Sequence, residues 1–193
     1  PQKRGEPIIF DKDERPMETT MEKMAKLATV FKKDGTVTAG NASGINDAAA
    51  ATLLMTEEKA KELGLKPLAR IKGYALGGVD PAYMGLGPIP ACRKLFRLTG
   101  TTAKDYGLVE LNEAFAPQVL ACLKGWGWSG NDSRHDILNV NGSGISLGHP
   151  IGATGGRILA NLTRELVRRE GRYGLETMCI GGGQGIAAVF EKA

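Results

Sequence analysis

Cysteine is scarce in this chain and poorly spaced for cross-linking. Cys92, Cys122 and Cys179 are the only three in 193 residues, and no Cys-x-x-Cys pair occurs. That spacing excludes a disulfide framework and a zinc site built on paired cysteines, and it points to a reducing compartment. Long apolar runs are missing too. None approaches the ~20 residues of a spanning helix, and Pro1-Gln2-Lys3-Arg4-Gly5-Glu6 lacks the hydrophobic stretch of a signal peptide. A soluble protein away from the membrane is expected, cytoplasmic unless an upstream address directs it to an organellar matrix. The ending Glu191-Lys192-Ala193 is not a Ser-Lys-Leu type signal. Charge of one sign is also in short supply. The net charge is +4 and no run of Lys or Arg exceeds two residues, so the electrostatic footprint of a nucleic-acid binder is absent. A modest positive bias still suits a small phosphate-bearing ligand.

Glycine, by contrast, is abundant: 27 residues, about twice its average usage of roughly 7%. It gathers in short loops without a fibrous period, as in an α/β chain with functional turns. The length allows roughly 70% of the unfolded surface to be buried. Residues 1–34 are polar, charged and interrupted by Pro7 and Pro16, with one amphipathic helix candidate over 20–31, and they read as an appended segment. Residues 35–193 form the regular domain. Asn46-Asp47 offers a helix cap before an alanine run, and Thr56 precedes Glu57 and Glu58 at the start of a short helix ended by Gly64. Strands are expected over 68–76, 108–111, 137–140, 176–180 and 186–190. Helices are expected over 90–98 and 115–124, and over a last segment ending at Arg169, where Ile158, Leu159, Leu162 and Leu166 mark one face. Alternating strands and helices closed by an adjacent strand pair define an α/β sheet covered by helices.

The chemistry is carried by glycine-rich segments. In Gly148-His149-Pro150-Ile151-Gly152, an imidazole that titrates near neutrality stands beside a proline that fixes the backbone. In Cys179-Ile180-Gly181-Gly182-Gly183, a thiol able to act as base or acid precedes backbone N–H groups that no side chain shields. His135, in a polar loop running from Ser129 to Asp136, reads as solvated, and Cys92 and Cys122 read as core residues of helices. Two further segments complete the set, Asn112-Glu113-Ala114-Phe115-Ala116 and Gly40-Asn41-Ala42-Ser43-Gly44-Ile45-Asn46-Asp47.

In this order, over nearly the whole chain, the four segments resemble the thiolase family, enzymes that make or cleave 3-ketoacyl-CoA by Claisen chemistry. The resemblance is to a C-terminal thiolase half, with a layered β-α-β-α-β-α-β-β design and a mixed sheet covered by helices. It implies that His149 activates a nucleophilic cysteine carried by the other, N-terminal half. Cys179 then exchanges the α-carbon proton, the Gly181 N–H is an oxyanion donor, and Asn112 orients a water in a second oxyanion hole. It further implies that Ser43 contacts the pantetheine arm of CoA, that Ala39 and Ala114 are small residues along that arm, and that Met84 and Phe115 line the acyl pocket. Glu113 is implied to hold neighbouring backbone. Lys23 and Pro16-Met17 depart from the pattern common at the adenine end. Asn141-Gly142-Ser143-Gly144-Ile145-Ser146-Leu147 is closer to ketothiolases of broader chain length. The substrates implied are acyl-CoA thioesters and free CoA, without a metal or redox cofactor. The missing half is implied as partner, with a homodimer or homotetramer when complete, and the isolated chain is expected to be inactive and to expose an apolar face.

Two rival readings come from the same residues. Gly142-Ser143-Gly144 with Gly148, and the glycines from 181 to 185, hint at nucleotide binding, but neither has Gly-x-Gly-x-x-Gly spacing and no Gly-Lys-Ser/Thr occurs. A non-catalytic, thiolase-like interaction domain is the other, against which His149, Cys179 and Asn112 all stand.

Overall fold

A computed structural model describes residues 1–13, 16–128 and 130–193. In chain order the elements are α1 (Met21–Ala25), α2 (Glu57–Glu62), β1 (Ala69–Gly78), a 3-10 helix (Pro81–Leu86), α3 (Pro88–Thr99), β2 (Tyr106–Leu111) and α4 (Ala116–Gly125). A second 3-10 helix (Ser133–Ile137), α5 (Gly144–Leu147), α6 (Thr154–Arg168), β3 (Tyr173–Gly181) and β4 (Gln184–Lys192) follow. The four strands form one open sheet in the order β1-β4-β3-β2, with β2 and β3 parallel and the other pairs antiparallel.

Strand alternation decides which helix covers which face. Val109 and Leu111 of β2, Leu175 of β3 and Val189 of β4 point to one side, where Ala91, Cys92 and Leu95 of α3 and Val119, Cys122 and Leu123 of α4 complete a buried cluster. Leu108 and Phe190 point to the other side and meet Leu162 and Leu166 of α6. Ile158, Leu162 and Leu166 recur every four residues on α6 and are each fully buried, worth ~2 kcal/mol apiece in transfer free energy. On the first side α3 lies close enough to the sheet that side chains are excluded. A Cβ on Gly185 would stand 2.1 Å from the Gly87 carbonyl carbon, and one on Gly77 would stand 2.4 Å from Ala91 N.

Four expectations are corrected. Ile137–Val140 is not a strand: only the Val109–Leu138 bridge survives, because Asn139 turns the chain with φ of 46°. The helix expected over 20–31 stops at Ala25, since Val30 N–H donates to Val37 O at 3.0 Å and Thr29 bridges Thr38. The alanine run after Asn46-Asp47 is not helical; the Asn46 side chain is engaged elsewhere, as described below. His135 is half-buried in the second 3-10 helix rather than solvated, and its Nε2 is buried without a partner among the described residues. Ser129, the start of the loop singled out in the sequence, lies outside the described residues. Among the described residues no helix is long and apolar enough to cross a membrane.

Candidate active site

The parallel pair β2 and β3 ends in Asn112 and Cys179. In an open α/β sheet the carboxyl ends of parallel strands are where side chains and turns converge on a ligand. Asn112 N–H donates to Thr177 O at 3.0 Å, carrying the β2–β3 ladder one residue past the strand. Its side chain is completely buried, and neither Oδ1 nor Nδ2 has a hydrogen-bond partner among the described residues. A buried amide left this way costs free energy and is a feature of functional sites. Gly144 packs against it: a Cβ there would be 3.1 Å from Asn112 Oδ1 and 2.5 Å from Glu113 O.

Sequence reasoning missed the residue that holds this loop. Asn139, in the left-handed conformation that asparagine tolerates, donates its N–H to Val109 O at 2.8 Å. Its Oδ1 accepts from Leu111 N at 2.9 Å, while Nδ2 donates to Leu111 O at 2.9 Å and to Glu113 Oε1 at 3.0 Å. Glu113 Oε2 in turn accepts from Ile145 N at 3.3 Å. The carboxylate is thus spent on joining two loops, with Asn139 doing for β2 what a neighbouring strand would.

His149 is oriented by a second residue without an obvious sequence signal. Its Nδ1 lies 2.8 Å from Thr154 Oγ1, and that hydroxyl donates to Pro150 O at 3.0 Å. With its single proton committed to the carbonyl, the hydroxyl accepts from Nδ1–H, which leaves Nε2 as the basic nitrogen. Burial, and then the charge of Arg157, hold the imidazole below its ordinary 6.5, so the ring is neutral and able to take a proton.

The loops are tied together by a segment from far upstream. Ala116 N–H donates to Asn41 O at 2.8 Å, Ser43 N–H to Ala114 O at 2.9 Å, and His149 N–H to Gly44 O at 3.0 Å. Asn46 Oδ1 also accepts from His149 N at 3.3 Å, across 103 residues of sequence. Gly148, with φ of 104°, leaves no room for a side chain, since its Cβ would stand 2.3 Å from Asn46 Oδ1. Residues 41–46 therefore form one wall, with half-buried Ser43, buried Ala114 and half-buried Phe115 along it. Phe115 meets the edge of Phe31 at 5.5 Å. Ala39 sits exposed on the adjoining turn, which is closed by Thr38 N–H donating to Asn41 Oδ1 at 2.9 Å.

Cys179 is buried at the end of β3, and burial raises its thiol above the ordinary 9.0, so it is protonated at neutral pH. Gly181, Gly182 and Gly183 follow with φ of 86°, 59° and 79°, three positive values that glycine alone adopts without strain. The half-buried Met84 belongs to the 3-10 turn docked on this hairpin, where Val79 N–H donates to Gly183 O at 2.7 Å. Gly155, one residue after Thr154, packs over Glu176 Oε1 and Met178 Sδ, so the first turn of α6 stands over β3.

A charged layer lies between α6 and the sheet. Glu110 and Glu176 are register partners on β2 and β3. Burial, and for Glu176 the charge of Glu110, push their carboxyls up to about 7 and about 8. Arg157 of α6 lowers both, while its own three guanidinium nitrogens are buried without a hydrogen-bond partner among the described residues. No cluster of three or more His, Cys, Asp or Glu that could hold a metal ion occurs among the described residues.

The chain is an α/β protein whose sheet is covered on both faces, with Asn112 and Cys179 at the ends of its two parallel strands and His149 on the loop that leads into α6. The chain belongs to the thiolase family: the family profile described as Thiolase, C-terminal domain, matches residues 65–192, and that of the Thiolase, N-terminal domain, matches 1–58. It is 54% identical to an acetyl-CoA acetyltransferase of Syntrophomonas wolfei over 98% of this chain and 47% of that protein, and 53% identical to one of Escherichia coli with the same coverage. Among solved structures, the Bacillus anthracis acetyl-CoA acetyltransferase superposes with a TM-score of 0.88 at 50% identity, covering 100% of this chain and 48% of that one. Human mitochondrial 3-ketoacyl-CoA thiolase in complex with CoA gives 0.84 at 45%, covering 95% and 46%. The chain thus spans about half the length of the relatives it matches.

Proposed function

We propose that this chain carries the acid/base half of an acyl-CoA:acetyl-CoA C-acyltransferase, which interconverts two acyl-CoA molecules with a 3-oxoacyl-CoA and CoA. The observation that supports it best is the His149–Thr154–Pro150 relay, which leaves a neutral imidazole with Nε2 as its basic nitrogen. In the cleavage direction His149 Nε2 takes the proton of a cysteine thiol supplied by the part of the enzyme this chain does not span. The thiolate attacks the 3-keto carbon, the Cα–Cβ bond breaks, and the electron pair becomes the acetyl-CoA carbanion. The Cys179 thiol, protonated at neutral pH, supplies the proton that quenches it. The resulting thiolate is reprotonated as CoA attacks the acyl-enzyme, which releases the nucleophilic cysteine. In synthesis the same groups run backwards.

The Gly181 N–H supplies a hydrogen bond to one developing oxyanion, a donor of this kind being worth ~3 kcal/mol of transition-state stabilisation, and Asn112 orients a water in a second oxyanion hole. Ser43, Ala39 and Ala114 form the wall for the pantetheine arm, and Met84 and Phe115 bound the acyl group. The substrates are CoA thioesters and no metal is required. The complete enzyme is a homodimer or homotetramer of the cytoplasm or an organellar matrix, used in fatty-acid β-oxidation or in acetoacetyl-CoA synthesis.

The test is thiolysis of acetoacetyl-CoA with free CoA, followed by loss of the 3-ketoacyl thioester. The chain alone is expected to show no turnover. Joined to the remaining half it is expected to turn over, and Cys179→Ala in that complex should abolish activity. Turnover by the chain alone, or an undiminished Cys179→Ala enzyme, would overturn the assignment of roles.

A further inference from the structure

The face of the sheet covered by α3 and α4 carries a feature that the acid/base chemistry does not use. Where Ile89, Arg93 and Phe96 of α3 face the end of α4, a cleft of about 170 Å³ opens toward the sheet, walled by Tyr106, Trp126 and Trp128. An apolar cavity of roughly 150 Å³ accommodates one benzene-sized ring. Aromatic walls favour a flat, aromatic occupant through stacked and edge-on contacts. Trp126 and Trp128 themselves meet edge-on at 5.7 Å.

Two polar observations narrow the class of ligand. The indole N–H groups of Trp126 and Trp128 are both buried without an acceptor among the described residues, and Trp128 is only 4% exposed. Buried indole N–H groups ordinarily find a partner, so two residues that line the cleft carry donors without an acceptor among the described residues. Arg93 is the one charged residue of the lining. It is exposed and has no ion-pair partner among the described residues. The neighbouring cation is otherwise occupied: Arg134 stacks on Trp128 at 4.9 Å and is paired with Asp132. A planar guanidinium without a partner, at an aromatic cleft with spare N–H donors, matches a carboxylate attached to a single ring.

We propose that the cleft between α3 and α4 is a binding site for a small monocyclic aromatic carboxylate, on the opposite side of the sheet from α6 and independent of the acyl-transfer reading above. The ring occupies the space between Phe96 and the two indoles, and the carboxylate faces Arg93.

The site carries its own reporter, because the chain's two tryptophans both line it. Phenylacetate is titrated into the full chain while tryptophan emission is followed, with 2-phenylethanol as the neutral ring and acetate as the anion without a ring. The expected result is a saturable change with phenylacetate, weakened about tenfold in Arg93→Gln by loss of a charged hydrogen bond. Phenylethanol should bind about as weakly to the native chain as phenylacetate does to the variant, and acetate should give no response. Ala103→Leu, which fills the cleft from a turn outside the helices, should abolish the response while leaving the circular dichroism spectrum unchanged. A linear, unsaturable response to phenylacetate would overturn the proposal. So would an Arg93→Gln chain that keeps both its fold and its affinity, or equal binding of phenylethanol.

Discussion

Replacing Glu176 by glutamine tests the charged layer under α6 without changing its shape. The folded carboxyl titrates at about 8 against an ordinary value of 4.5. Below 4.5 folded and unfolded chains both hold the proton. Between 4.5 and about 8 the unfolded chain releases it while the folded chain keeps it, so stability falls as pH rises through that window and levels off above it. At ~1.4 kcal/mol per pH unit the shift amounts to about 5 kcal/mol for an isolated group. Part of that belongs to repulsion from Glu110, which sits opposite on the ladder. Glu176→Gln cannot ionise, so it should match the native chain near pH 4.5 and exceed it by about 2–4 kcal/mol near pH 9. Urea unfolding followed by far-ultraviolet circular dichroism at three pH values measures the difference directly. A pH-independent gap, or a variant less stable than the native chain at the alkaline end, would refute the reasoning.

Asn139→Ala removes three side-chain hydrogen bonds, to Leu111 N, Leu111 O and Glu113 Oε1, and places alanine at a positive φ; a loss of about 2–4 kcal/mol is expected by denaturant titration. Thr154→Val deprives His149 Nδ1–H of its acceptor. Nitrogen-15 spectra, simple in a chain with two histidines, should show a single Nδ1–H tautomer in the native protein and a mixture in the variant. In the same spectra His149 is expected to titrate below 6.5, so that its contribution to stability is present above that pH and lost as pH falls. Gly185→Ala drives a methyl group into the Gly87 backbone and should cost about 3 kcal/mol or more, read as a lower thermal midpoint.

Local patterns were legible where local physics decides. The Ile158-Leu162-Leu166 face identified α6, Thr56 with Gly64 bracketed α2, and the two closing strands were placed within a few residues of where they lie. His149 and Cys179 stood out as candidates because one precedes a proline and the other a run of glycines, whereas Asn112 was singled out only through the family resemblance of its segment. What failed was long-range. Asn46 has the side chain of a helix cap, but its acceptor oxygen is taken by His149 N–H, 103 residues on. Residues 137–140 carry strand propensity, yet a single positive φ at Asn139 converts them into a brace for the neighbouring loop. Nor does periodicity reveal that Glu110 and Glu176 face one another, since the register of a parallel pair is set by tertiary structure rather than by either strand.

The wall formed by residues 41–46 also makes the histidine loop vulnerable to being cut from a distance. Between that wall and α2 run residues 47–56, which belong to no helix or strand. A protease cut there would leave the sheet and its two helical faces covalently whole, because β1 begins only at Ala69. It would turn the wall from a tethered segment, held at millimolar effective concentration, into a separate peptide gripped by a handful of backbone hydrogen bonds. Nicked protein would then keep its spectroscopic fold while the placement of His149 became dependent on dilution, and adding back a synthetic peptide spanning the wall would restore it.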